Sequence, residues 1–132
     1  MVKLSGNLWI GDSTDESFGD LENRGITAIL NVACDMQSIR GCVTDGIVSA
    51  QVGLIDGPGN PLVSYHTAVL CLATLLREHK VLVCCHTGSR SLAVAMMYLN
   101  LTNRLGWEGV EEILEEKLGY AISINEAHRD AY

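Results

Sequence analysis

The chain has 132 residues, a hydrophobic content of 48% and a formal net charge of −7. This length is enough for one domain with a substantial core but not for two, so we expect a single domain over residues 1–132. The nine lysines and arginines are scattered singly, which argues against nucleic acid or an anionic membrane as a partner.

The sequence contains no apolar run of about eighteen residues, the length that a membrane helix needs, and its first residues lack the apolar stretch of a signal peptide. We therefore expect a cytoplasmic protein that does not enter a membrane. The five cysteines, at positions 34, 42, 71, 84 and 85, match neither a disulfide framework nor a paired zinc motif. Cys34 follows an apolar strand and Cys71 lies in an apolar helical run, so we expect both to be buried and structural.

Hydrophobic patterning predicts alternating strands and helices with short connections. Short apolar runs bounded by turn signals predict strands, and longer runs with helical periodicity predict helices. Two capping-box patterns, at residues 13–16 and 123–126, mark helix starts. The expected elements are strands over 8–10, 26–32, 47–55 and 80–84, and helices over 13–23, 62–78, 92–101, 107–118 and from 123 onward, with a loop over 34–46.

This alternation predicts an α/β fold in a single domain. We expect a central, mostly parallel sheet of about four to five strands with helices on both faces. The strand over residues 26–32 is expected to be central because its run is mostly apolar. The helix over 92–101 is nearly all apolar, so it is expected to cross the middle of the molecule and to point its N-terminus at the preceding loop.

Residues 81–91 read Val-Leu-Val-Cys-Cys-His-Thr-Gly-Ser-Arg-Ser and place thiols, a glycine and an arginine between a strand and a helix. Backbone N–H groups of such a loop converge on an anion together with the positive end of the helix. Arg90 can clamp two oxygens of that anion, and the same field lowers the pKa of a thiol. The segment predicts an oxyanion site with a nucleophilic cysteine; its expected anion-binding residues are Cys85, His86, Thr87, Gly88, Ser89 and Arg90.

Three consecutive residues such as Cys84, Cys85 and His86 cannot easily close around one tetrahedral ion. The sequence offers no second group of ligands beside them. We therefore expect no metal site in this loop.

Asp56 lies at the end of a neighbouring predicted strand, in the turn over residues 56–61. A carboxylic acid there can protonate an oxygen leaving group while a cysteine attacks phosphorus and Arg90 gathers the charge on the equatorial oxygens. An aspartate before a glycine is by itself typical of a turn. Beside the thiol loop, it becomes the candidate general acid.

The loop Cys-His-Thr-Gly-Ser-Arg-Ser resembles the phosphate-binding loop of dual-specificity protein phosphatases, a branch of the cysteine-dependent protein tyrosine phosphatases. The pattern of that family is His-Cys-x-x-Gly-x-Ser-Arg-Ser. The resemblance covers nearly the whole chain. Residues 8–12 and 24–33 are similar to the family's amino-terminal strands, residues 56–60 to its general-acid loop, and residues 121–125 to its Ile-Ser-Pro-Asn segment, with Ile124 in place of proline.

Two registers align the loop with that family, and they assign different nucleophiles. With Cys84, five residues precede Arg90, as in the family, but valine takes the place of histidine and Gly88 comes one position late. With Cys85, Gly88 and the Ser-Arg-Ser run align, but Cys84 replaces histidine and one loop residue is missing. A ring that wraps a tetrahedral anion loses a donor or strains its backbone when it loses a residue. We therefore favour Cys84 as the nucleophile and keep Cys85 as the alternative.

The resemblance implies a phosphatase that acts on phosphotyrosine, phosphoserine or phosphothreonine in proteins through a cysteinyl-phosphate intermediate. Asp56 then acts as acid and base, Arg90 clamps the anion and Ser91 hydrogen-bonds the sulfur, and no metal or organic cofactor is required. Two other classes stay open. One is a catalytically inactive relative that only binds phosphorylated partners, which the irregular spacing favours; the other is a thiol enzyme for another anion, such as an arsenate reductase or a sulfurtransferase.

Overall fold

A computed structural model describes residues 1–12, 18–35, 46–86, 88–103, 106–118 and 128. Strands and helices alternate along most of this length. None of the helices formed by these residues is long and apolar enough to cross a membrane. The elements are β1 (Val2–Ser5), β2 (Leu8–Gly11), α1 (Phe18–Asn23), β3 (Ala28–Ala33), β4 (Val48–Leu54), α2 (Leu62–Leu75), β5 (Val81–Cys84), α3 (Ser89–Asn103) and α4 (Gly106–Leu118).

The strands form one mixed sheet in the order β1-β2-β5-β3-β4. β1 and β2 form an antiparallel hairpin, whereas β2, β5, β3 and β4 run parallel to one another. β5 is the middle strand, and Cys84 at its end pairs with Gly11 on one side and Asn31 on the other. Because the carboxyl ends of parallel strands lie at one edge of a sheet, the segments that follow these four strands meet there.

Helices cover both faces of the sheet. On one face, a large core joins the strands to α2, α3 and α4 through Leu72, Met96 and Leu114. On the other face, Leu21 of α1 packs in a smaller core with Leu82 of β5. β3 and β5 are buried along their whole length, because strands in the middle of a parallel sheet are covered on both sides.

The predicted fold class is confirmed: the chain is a single-domain α/β fold with a mostly parallel sheet of five strands. The predicted strands and the helices over 62–78, 92–101 and 107–118 are present, with ends shifted by at most three residues. The strand expected at 26–32 is β3, which has a neighbour on each side, although β5 is the middle strand. The helix starts at 13–16 and 123–126 and most of the expected loop over 34–46 lie outside the described residues.

Two features differ from the expectations. β1 was not predicted, although its Leu4 is buried and a turn at Gly6 and Asn7 joins it to β2. Cys34 is exposed and Cys71 is only partly buried, so the expectation of two buried thiols was wrong. Cys34 lies one residue beyond the end of β3, outside the covered part of the strand, and Cys71 packs at the margin of the large core.

Candidate active site

The segments at the carboxyl edge of the parallel strands carry the candidate site residues. Cys85 directly follows the middle strand β5, and Arg90 and Ser91 lie in the first turn of α3. Asp35 follows β3, and Asp56 follows β4. The order of the sheet therefore places the loop after β5 where groups from several neighbouring strands can reach it.

The Cys85 side chain is fully buried and lies inside the loop that leads from β5 to α3. Its Sγ atom accepts hydrogen bonds from the backbone N–H groups of Gly88, at 3.0 Å, and Ser91, at 3.4 Å. Gly88 has a φ of +92°, which L-amino acids rarely adopt, so a glycine here permits the turn that aims its N–H at the sulfur. Hydrogen bonds to a charged group favour its charged form, and an attacking cysteine is a thiolate.

Cys84 points to the opposite face of the sheet. Its side chain is fully buried in the smaller core with Leu82, whereas Cys85 belongs to the large core. Successive residues of a strand point to opposite faces, and this alternation separates the two adjacent thiols. The preference for Cys84 rests on the length of the loop. In the structure, the Cys85 sulfur accepts from two loop amides, and the Cys84 side chain lies in the smaller core.

The Arg90 side chain is 1% exposed and reaches the ends of β3 and β4. Its Nη1 donates to the Leu54 carbonyl oxygen at 2.7 Å and lies 2.8 Å from Oδ1 of Asp35. Its Nε is buried and has no hydrogen-bond partner among the described residues.

The pairing of Asp35 with Arg90 perturbs both groups. The hydrogen bond from Arg90 holds the pKa of the Asp35 carboxyl below its usual range. Burial alone lowers the pKa of Arg90, but the hydrogen bond to Asp35 and the charges of Asp35, Cys85 and Asp56 outweigh this effect and raise it. Arg90 is therefore a permanent cation at the base of the loop.

The Ser91 hydroxyl lies among three groups that it can contact. Its Oγ is 3.0 Å from the carbonyl oxygen of Gly11, 2.9 Å from that of Gly88 and 3.6 Å from the Cys85 sulfur. A hydroxyl has one hydrogen that rotates to suit its neighbours. Ser91 can therefore donate to a backbone carbonyl or turn its hydrogen toward a negatively charged sulfur.

Asp56 lies in the turn after β4, and its side chain is 35% exposed. Its Oδ1 is 3.3 Å from Nε2 of His128, and its charge contributes to the raised pKa of Arg90. Asn60 shapes the turn, because its side-chain oxygen accepts from the N–H of Ile55 at 2.8 Å and its amide nitrogen donates to the carbonyl oxygen of Ile55 at 2.7 Å. The carboxylate is thus within electrostatic reach of the loop and open to solvent.

The remaining predicted loop residues lie around this centre. His86 is exposed, and its charge contributes to the lowered pKa of Asp35. Ser89 is half-buried at the first position of α3, and Thr87 lies outside the described residues. Within the described part of the chain, no group of three or more histidine, cysteine, aspartate or glutamate side chains is arranged to hold a metal ion.

Sequence reasoning missed two groups at the site. Asp35 falls in a segment interpreted only as loop, although its position directly after a strand that ends at the same edge as β5 was a usable signal. His128 lies 72 positions from Asp56, and no local pattern connects residues at that separation. Only the three-dimensional structure brings these two side chains together.

Comparison with known proteins identifies relatives by sequence. No family model matches the chain. Dual specificity protein phosphatase 12 of Mus musculus is 34% identical over 117 residues, and that of Rattus norvegicus is 30% identical over 118 residues. Each match covers 86% of this chain but only 34% of the mouse and 35% of the rat protein. The chain therefore spans about a third of the length of these curated relatives.

Solved structures share the fold. The crystal structure of human DUSP28 superposes with a TM-score of 0.84 and 20% sequence identity, over 99% of this chain and 92% of that chain. At this identity, the likeness extends to the arrangement of the sheet and helices.

Proposed function

We propose that the chain is a dual-specificity protein phosphatase, as its similarity in sequence to dual specificity protein phosphatase 12 indicates, and that it hydrolyses phosphomonoesters on tyrosine, serine or threonine of phosphorylated proteins. One observation carries the proposal: the Cys85 sulfur lies against two backbone N–H groups, beside an arginine whose buried Nε has no partner among the described residues. A phosphate group offers oxygens to such donors and an electrophilic phosphorus to such a sulfur.

In the first step, the Cys85 thiolate attacks phosphorus, so that a sulfur–phosphorus bond forms and the ester phosphorus–oxygen bond breaks. Asp56 gives its proton to the departing alcohol or phenol oxygen. Arg90 stabilises the charge that spreads over the equatorial oxygens of the transferring group. The product of this step is a cysteinyl-phosphate.

In the second step, water attacks the cysteinyl-phosphate and the thiolate leaves. Asp56, now a carboxylate, takes the proton of the water and returns to its acid form. The Ser91 hydroxyl turns toward the sulfur, which lies 3.6 Å away, and stabilises the charge that develops on it. No metal or organic cofactor takes part in this sequence.

The proposal assigns the nucleophile to Cys85 and not to Cys84. The Cys85 sulfur lies in the loop that leads to Arg90, where the N–H groups of Gly88 and Ser91 donate to it. Cys84 is packed against Leu82 on the far side of β5, so a reaction there requires the end of the strand to turn over. The alternation of a paired strand opposes such a change.

The test compares two matched alanine variants on a small aryl phosphate. Cys85→Ala is expected to lower turnover by about a thousandfold or more, because it removes the covalent route. Cys84→Ala removes a buried sulfur of the same size and is expected to keep most of the activity. Loss of activity in Cys84→Ala together with normal turnover in a folded Cys85→Ala protein would assign the chemistry to Cys84 instead.

A second candidate function follows from the length of the loop. Four residues separate Cys85 from Arg90, one fewer than in the family pattern, and a smaller ring has one N–H donor fewer for the anion. The site would then bind phosphorylated partners without turnover. Wild-type protein that binds vanadate but hydrolyses no aryl phosphate between about pH 5 and pH 8 would establish this alternative and overturn the enzyme assignment.

A cytoplasmic location fits the proposed chemistry. The nucleophile must remain a free thiol, and the reducing conditions of the cytoplasm maintain that state. The described cysteines, at positions 34, 71, 84 and 85, are all free thiols.

The sequence similarity to a phosphatase extends beyond the loop, which speaks against an arsenate reductase or a sulfurtransferase. Arsenate turnover and thiocyanate formation are the direct assays for these two classes.

A further inference from the structure

The carboxylate of Asp56 has a buried partner that the reaction scheme above does not use. His128 is fully buried, and its Nε2 lies 3.3 Å from Oδ1 of Asp56. The contact joins the turn after β4 to a residue near the C-terminus. It engages one oxygen of the proposed general acid.

Tyr65 contacts the other side of the imidazole, and Asn60 contacts the hydroxyl group of Tyr65. Tyr65 is fully buried on α2, and its hydroxyl oxygen lies 2.5 Å from Nδ1 of His128. The two rings meet edge to face, with 5.8 Å between their centroids. The Asn60 amide nitrogen donates to the Tyr65 oxygen at 3.2 Å and to the Ile55 carbonyl oxygen at 2.7 Å.

In one arrangement of the hydrogens, each of these contacts is a hydrogen bond. An amide nitrogen only donates, so the Tyr65 oxygen accepts from Asn60. Its own hydrogen is then free to be donated to Nδ1 of His128, 2.5 Å away. Burial raises the pKa of Tyr65, which keeps that hydrogen in place. A neutral imidazole that accepts at Nδ1 carries its hydrogen on Nε2. In that arrangement, Nε2 donates to Oδ1 of Asp56.

We propose that His128 is a positioning residue that holds the Asp56 carboxyl group for proton transfer, an inference that rests on the proposed role of Asp56 as general acid. With Oδ1 engaged as an acceptor, the acidic hydrogen resides on Oδ2, and the carboxyl group cannot rotate freely. The leaving oxygen then meets one oriented donor, which lowers the entropic cost of the transfer.

Charged and titratable groups face this pair from both sides. Asp56 faces His128 and interacts electrostatically with Arg90, which in turn interacts with Asp35 and Cys85. His128 faces Asp56 on one side and the Tyr65 hydroxyl on the other.

The kinetic test uses two substrates that differ in their need for an acid. Phenyl phosphate has a poor leaving group and para-nitrophenyl phosphate a good one. His128→Phe keeps an aromatic ring beside Tyr65 but removes the donor, and we expect kcat/KM, which reports the step that releases the leaving group, to fall about tenfold on phenyl phosphate and about twofold or less on the nitrophenyl ester. An equal fall on both substrates in a folded variant would show a merely structural role and overturn the inference.

Two further variants make the test specific. His128→Gln places an amide N–H near the former Nε2, so it is expected to recover most of the phenyl phosphate activity. In an Asp56→Asn background, His128→Phe is expected to have no further effect, because its action passes through Asp56. Independent, multiplicative losses in the double variant would contradict the inference.

A measurement without turnover separates this inference from the proposed function. Long-range nitrogen-15 spectra of the wild-type protein at neutral pH should show His128 as the Nε2–H tautomer. Tyr65→Phe should shift it toward a mixture of tautomers, and Asp56→Asn should move the Nε2 resonance. An Nδ1–H tautomer overturns the inference even in an active enzyme. An inactive wild type overturns the proposed function, and the predicted tautomer with its two shifts then still supports the His128–Asp56 contact.

Discussion

Asp35 and Arg90 form an ion pair at the edge of the sheet, with 2.8 Å between Oδ1 and Nη1. The arginine side chain is 1% exposed, whereas that of the aspartate is 53% exposed. The pair therefore links the buried guanidinium group of Arg90 to the solvent-exposed carboxylate of Asp35. The ion pair holds Nη1 of the Arg90 guanidinium group in place. The Nε atom of the same guanidinium group has no hydrogen-bond partner among the described residues.

This ion pair predicts a pH-dependent contribution to stability. The hydrogen bond from Arg90 lowers the pKa of Asp35 in the folded state, so its stabilisation is present above the ordinary aspartate pKa of about 3.9 and is lost as the pH falls through the lowered value. Asp35→Asn should thus lower the urea midpoint at neutral pH, and the difference from wild type should shrink below about pH 4. Urea unfolding of both proteins at several pH values measures this difference in midpoint.

Glu112→Gln, on the exposed face of α4, is the control for removing one negative charge. It should change the urea midpoint little at any of these pH values. A wild-type advantage over Asp35→Asn that persists unchanged in acid would contradict the assigned partner.

A second prediction concerns the glycine that turns the loop. Gly88 has φ +92° and Gly46 has φ +83°, so alanine at either position is expected to cost about 1–2 kcal/mol of unfolding free energy. Of these two glycines, Gly88 is the one that donates its N–H to the Cys85 sulfur. We expect Gly88→Ala to lose most vanadate binding and turnover, and Gly46→Ala to lose stability alone.

Chemical denaturation and vanadate titration on the same two proteins separate the two effects. Equal vanadate affinity in Gly88→Ala and wild type would show that the turn at Gly88 is not needed for the anion site.

The fold was predictable because its signals are local and strong. The sequence run at β5 is short, apolar and bounded by turns, and the run over 92–101 is nearly all apolar. Each pattern was sufficient to predict a strand or a helix and its approximate ends. β1 escaped because Leu4 is its only buried residue. A strand that covers the edge of a sheet with one side chain has too weak a pattern to be distinguished from a loop.

The candidate site could be outlined from the sequence, but two local arguments name different thiols. Loop length favoured Cys84, because it preserves five residues before Arg90. Strand alternation favours Cys85, because Val81 and Val83 belong to the large core and Leu82 and Cys84 to the smaller one. The proposed assignment to Cys85 gives the second argument more weight, since a strand hydrogen-bonded on both sides fixes the orientation of its side chains, whereas a loop changes its path more readily.

A third prediction tests the packing of α2 on the sheet. Leu72 is fully buried, whereas Leu70, two positions earlier on the same helix, is 67% exposed. Leu72→Ala is expected to cost about 3 kcal/mol, because it removes buried apolar surface and leaves a cavity. Leu70→Ala is expected to change stability by less than about 0.5 kcal/mol. Urea unfolding of the pair measures both, and similar losses at the two positions would contradict the described orientation of α2.

The last prediction concerns the length of the loop. One alanine inserted between Gly88 and Ser89 restores five residues between Cys85 and Arg90 and adds a backbone N–H to the ring. A hydrogen bond to a charged group contributes about 1.5–3 kcal/mol, so vanadate should bind about tenfold or more tightly. Isothermal titration measures this affinity.

An alanine inserted between Gly6 and Asn7, in the turn between β1 and β2, is the control for lengthening the chain, and it should leave vanadate affinity unchanged. If the short loop is instead complete as it stands, the added residue displaces Gly88 from the sulfur and weakens the anion site. Weaker vanadate binding in the folded loop variant, with the control unaffected, would therefore show that four residues suffice for the ring.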